Sequence, residues 1–109
     1  MTRDEVESAY FALLRAREEL DALRRYQQYL EAEAQRLRRV RAEGEALATE
    51  VDRRMRRGLA HTDAPLAQAI AARLAAIDDE RPRLPDRLAA AEAFVTECEQ
   101  EHAARRGDR

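Results

Sequence analysis

Apolar residues recur along the first half of the chain at alternating steps of three and four. Val6, Ala9, Leu13, Ala16, Leu20, Leu23, Leu30, Ala34 and Leu37 share one phase, with polar Gln27 the only interruption. That spacing places every member on one face of an α-helix and marks the seam of a coiled coil. After Leu37 the seam slips back by one position, to Val40, Gly44, Leu47 and Val51, followed by Met55. A strict heptad would have turned Arg41 and Ala48 inward, so the slip predicts a gently wound bundle rather than a regular zipper.

No proline and a single glycine, Gly44, fall between Thr2 and Arg57, which predicts one helix over about residues 3–57. Gly58 is the expected left-handed terminator. Arg53, Arg54, Arg56 and Arg57 stand where positive charge complements the end of a helix dipole. Residues 58–64 then read as a turn. Thr62 or Asp63 supplies the N-cap of a second helix over about 65–80, with Pro65 in its first turn.

The second helix carries Leu66, Ile70, Leu74 and Ile77 on one face, bordered by alanines. Pro82 and Pro85 predict a break over 81–85, because an interior proline removes a hydrogen bond and clashes with the preceding turn. The apolar phase resumes beyond it at Leu84, Leu88, Ala91, Val95 and Cys98, predicting a third helix over about 86–104 and a frayed tail over 105–109. The expected fold is a single all-α domain. It is an antiparallel helical hairpin, coiled-coil-like, with one long helix packed against two shorter collinear helices separated by the proline break.

Lengths then set an expectation about assembly. At about 1.5 Å rise per residue the long helix outreaches the returning pair. With the turn at 58–64, Leu66 would lie near Met55, Ile77 near Gly44 and Val95 near Tyr26. The N-terminal Val6, Tyr10, Phe11, Leu13 and Leu14 would overhang their own hairpin. An exposed cluster of that size calls for a cover, and a second copy of the chain is the expected one.

Composition changes this picture little. Charged residues make up 39% and aromatic residues 5% of the 109 positions, a balance that belongs to long helices rather than to a large globular core. All twenty basic residues are arginine, yet the net charge is −2, so no global field points to nucleic acid or an anionic membrane. The lone Cys98 excludes a disulfide framework, and the acidic N-terminus lacks the apolar core of a signal sequence. A cytoplasmic location is expected.

Chemistry is sparse. His61 and His102 have no metal-ligand spacing with other donors, and the adjacent Asp78, Asp79 and Glu80 point in different directions round a helix. No glycine-rich phosphate loop occurs. The reading is therefore a non-enzymatic interaction, scaffold or adaptor protein without a cofactor. It would self-associate through Val6, Tyr10, Phe11, Leu13 and Leu14 and bind a larger protein. The alternative is a regulator that docks Arg53, Arg54, Arg56 and Arg57 on nucleic acid or a nucleic-acid-processing machine.

Overall fold

The computed structural model describes residues 2–107, and they form an all-α helical hairpin. Helix α1 spans Arg3–Glu50 (48 residues), α2 spans Arg53–Glu80 (28 residues) and α3 spans Leu84–Gly107 (24 residues). One 3-10 turn, Arg81–Arg83, connects α2 to α3. The chain divides into two compact units, residues 1–27 with 83–109 and residues 28–82.

In the first unit the beginning of α1 packs against α3. Leu13, Ala16 and Leu20 share a buried cluster with Val95 and Cys98, edged by Leu88 and Ala91. Ion pairs flank it, Arg17 to Glu99 at 3.9 Å and Arg24 to Glu92 at 3.7 Å, all on exposed side chains that contribute little by themselves. In the second unit Leu30, Ala34 and Leu37 of α1 and Ile70, Leu74 and Ile77 of α2 are the buried apolar residues. The 3–4 seam is therefore the core through Leu37, Gly44 being the first seam position without a side chain.

The reversal lies earlier than the sequence predicts. The expected turn over 58–64 is helical, and the chain turns at Val51 and Asp52 instead. Asp52 is extended (φ −69°, ψ 171°), and its carboxylate accepts from the Met55 N–H at 2.9 Å, which caps α2. The Arg56 side chain reaches back to α1, donating Nε to the Ala48 carbonyl at 2.8 Å and Nη2 to the Val51 carbonyl at 3.2 Å. These bonds occupy carbonyls that the end of α1 leaves without helical partners. Gly58 takes no left-handed conformation, and Pro65 lies inside α2 rather than in its first turn.

An earlier turn lengthens the returning arm and moves its register. Val95 meets Leu13 to Leu20 rather than Tyr26, and Arg73 meets Glu33. The N-terminal overhang consequently does not exist: α3 continues to Gly107, and Val6 and Leu13 are buried within the chain. The expected proline break is a single tight turn. The Arg81 N–H still bonds the Ile77 carbonyl, Pro82 sits in the 3-10 turn, and Pro85 falls in the first turn of α3, where its missing donor costs nothing. Of the predicted frayed tail, 105–107 are helical and Asp108 and Arg109 lie outside the described residues.

Candidate interaction surface

The side chains singled out by the sequence fall into different environments. Val6 and Leu13 belong to the interior, Leu14 is half-buried, and Tyr10 and Phe11 are 43% and 63% exposed. The Tyr10 ring lies 5.8 Å from that of Phe11 and 5.5 Å from the imidazole of His102. Tyr10, Phe11 and His102, with Arg3, Val6 and Arg106, line a shallow open groove in the first unit. His102 thus packs beside the Tyr10 ring.

Arg53, Arg54, Arg56 and Arg57 stand on the first turns of α2, not the last turn of α1. Their charges therefore face the positive end of a helix dipole, the reverse of the expected arrangement. Arg56 is occupied by the carbonyls of Ala48 and Val51. Arg53, Arg54 and Arg57 are exposed and enter no ion pair among the described residues. Three like charges at spacings of three and four repel one another there.

What the sequence reading missed is how the seam ends. No residue from Arg38 to Ala69 is buried. Leu47 is 47% exposed, Met55 59% and Leu66 56%, while Val40, Val51 and Leu59 are half-buried. The same stretch holds Gly44, Gly58 and Pro65, three residues that weaken a helix. A β-carbon built on Gly44 or on Gly58 would meet no atom within 4 Å. Gly44, at a seam position, was the available sign that packing stops, because it offers a facing helix nothing to pack against.

Where the packing is good, one polar group is built into it. Glu33 is almost fully covered, and its carboxylate accepts from Arg36 at 2.7 and 3.0 Å and pairs with Arg73 of α2 at 2.9 Å. Arg73 also donates Nη2 to the Tyr29 hydroxyl at 2.9 Å. The bonds from Arg36 and the charges of Arg36 and Arg73 hold the Glu33 carboxyl below the usual carboxylate range, against the opposing effect of burial. A lowered folded-state pKa stabilises the fold above the unfolded pKa, and that stabilisation is lost as pH falls through the lowered value. Glu33→Gln should therefore lower thermal stability at pH 7 and flatten its decline from about pH 5 downward, as followed by circular dichroism.

Reactive chemistry is thin here. Among the described residues no group of three or more His, Cys, Asp or Glu side chains could hold a metal ion. Burial, reinforced by the charges of Glu101 and Glu97, pushes the Cys98 thiol up, so it packs as a neutral apolar group. No described helix is long and apolar enough to cross a membrane. Comparison with protein-family models, with curated proteins and with solved structures finds no match to the chain.

Proposed function

We propose that this chain is a non-enzymatic helical interaction protein of the cytoplasm, a scaffold or adaptor that self-associates and binds a larger protein partner. The observation that carries the partner reading is the bare seam: residues 38–69 keep apolar residues in helical phase and bury none of them. A photo-crosslinking residue at position 47 or 66, introduced in cells, should form protein adducts. The same residue at position 31, exposed on α1 outside this stretch, should form few. Absence of protein adducts at both 47 and 66 would sink the adaptor reading.

Self-association is proposed through Tyr10 and Phe11, with Leu14 at their edge. Val6 and Leu13 leave this surface, because they are buried inside the chain. Two aromatic side chains cover far less than the roughly 800 Å² per partner of a standard interface, so they act as anchors of a larger contact. Light scattering should give about twice the 12.5 kDa chain mass, and Tyr10→Asp with Phe11→Asp should return it to the monomer value. A wild-type monomer at high micromolar concentration contradicts the proposal.

A second reading has its own observation. Arg53, Arg54 and Arg57 crowd the positive end of α2 without ion pairs, and an anionic partner such as nucleic acid would relieve that repulsion. It requires affinity for DNA or RNA that falls steeply as salt rises and that Arg53→Glu with Arg57→Glu removes. Binding without a salt slope leaves the adaptor reading in front.

A further inference from the structure

We infer that the bare end of the α1–α2 hairpin, residues 38–69, receives an amphipathic helix of about three turns from a protein partner, with acidic residues beside its apolar face. The inference rests on the adaptor reading and supplies the chemistry of its partner. It begins from phase. After a slip of one position, Val40, Gly44 and Leu47 of α1, followed by Val51 at the turn, carry on the apolar face of buried Leu30, Ala34 and Leu37. On α2, Leu66, Leu59 and Met55 extend the face of buried Ile70 at steps of four, seven and four. Both arms thus carry a packing face into a region where the chain covers it only in part, with Val40, Val51 and Leu59 half-buried and Leu47, Met55 and Leu66 exposed.

Space and length define what fits. At the seam position Gly44 no atom of the facing arm comes within 4 Å of an added β-carbon, whereas the seam alanine Ala34 is 1% exposed. Residues 40–51 rise about 18 Å, the length of a helix of roughly three turns. Apolar anchors at helical spacing on two adjacent arms are the receiving half of a helix-in-groove contact.

Charge selects among occupants. The stretch 38–69 holds seven arginines against five carboxylates within a chain whose net charge is −2, so this end is basic and the remainder acidic. Asp52 is committed to capping α2 and Arg56 to the Ala48 and Val51 carbonyls, which leaves six arginines against four carboxylates. A second copy docked by the same surface would set two positive surpluses against each other. Nucleic acid would use the arginines and leave Leu47, Met55 and Leu66 uncovered, and no aromatic residue lies in the stretch to stack on bases. An acidic amphipathic helix satisfies both sets of side chains.

Fluorescence anisotropy with three labelled peptides of about fourteen residues tests this. The first carries a leucine seam flanked by glutamates, the second lysines in place of the glutamates, and the third the glutamates with serines in place of the leucines. The glutamate–leucine peptide should bind about tenfold or more tighter than either control. Leu47→Asp with Leu66→Asp should weaken it about tenfold, with helicity unchanged because both side chains are already exposed. Arg53→Glu, Arg54→Glu and Arg57→Glu together should reverse the charge preference.

Equal binding of the glutamate and lysine peptides overturns the inference, as does equal binding of the serine peptide, no binding of any, or binding that Leu47→Asp with Leu66→Asp leaves intact. A dimer lost in that double variant but not in Phe11→Asp also overturns it, since a second copy is then the occupant. Crosslinking to protein at 47 or 66 without any peptide charge preference retains the adaptor reading and discards this partner. Peptide discrimination as expected without crosslinked protein discards the adaptor reading alone.

Discussion

Leu84→Ala will destabilise the protein by about 2–5 kcal/mol, the range for truncating a fully buried leucine. Leu84 is 1% exposed, although it stands between two prolines at the junction where the sequence predicts a break. Its loss removes transfer energy and leaves a cavity beside a tight turn whose backbone the prolines hinder from relaxing. Phe11→Ala, at a side chain 63% exposed, should change stability by no more than about 0.5 kcal/mol at concentrations where the chain is monomeric. Urea denaturation of the two variants under identical conditions measures the contrast. A Leu84→Ala effect as small as that of Phe11→Ala would mean the 81–84 junction is not packed as described.

Pro65→Ala should stabilise α2 by up to about 3 kcal/mol, the cost of proline in a helix interior. Pro65 follows three helical turns that begin at Arg53, so its ring meets the carbonyl side of the preceding turn and its nitrogen offers no donor to His61. Thr62 adds to the local weakness by turning its hydroxyl to the Gly58 carbonyl at 3.0 Å. The expected signature is a rise in far-ultraviolet helicity and slower amide exchange over residues 58–64. The measurement also discriminates between two turns. If the chain reversed at 58–64, Pro65 would occupy a first-turn position where proline is favourable, and alanine would be neutral or worse. A null or destabilising result therefore refutes the turn at Val51–Asp52.

The contrast between those two substitutions shows how the molecule divides its stability. Buried side chains hold the helices together through Leu37 on α1 and from Ile70 on α2. Between them no side chain is fully buried, and the stretch holds two glycines and one proline. Such a region opens locally at low free energy, which suits a surface that completes its packing on a partner. The proposed acidic helix would supply the missing apolar contacts and the missing negative charge together.

Much of the fold was legible along the chain. The 3–4 spacing named nearly every residue that is buried, including Val95 and Cys98 beyond the prolines, because burial on a helix face follows periodicity. The turn was not legible in the same way. Gly58, Thr62, Asp63 and Pro65 form a conventional terminator-and-cap signal, while Asp52 lies two positions after the end of α1 with no glycine or proline beside it. The weaker local signal, the Asp52 cap, won together with a contact that local spacing does not reveal, the Arg56 side chain closing on α1. The candidate site moved with the turn, since an overhang of Val6 to Leu14 depended on where the chain reversed.

By itself the sequence determined that this chain is helical and which face of each helix is apolar. Those are properties of local periodicity and residue chemistry, and they need no knowledge of what lies opposite. Tertiary structure alone decided the register of the returning arm. It thereby buried Val6 and Leu13, joined Glu33 to Arg73 and left no fully buried residue on the seam from Val40 to Leu66. The physical reason is that a helical phase states which side of a helix seeks cover, whereas the cover depends on where the partner helix begins, and that was set by one aspartate and one arginine at the turn.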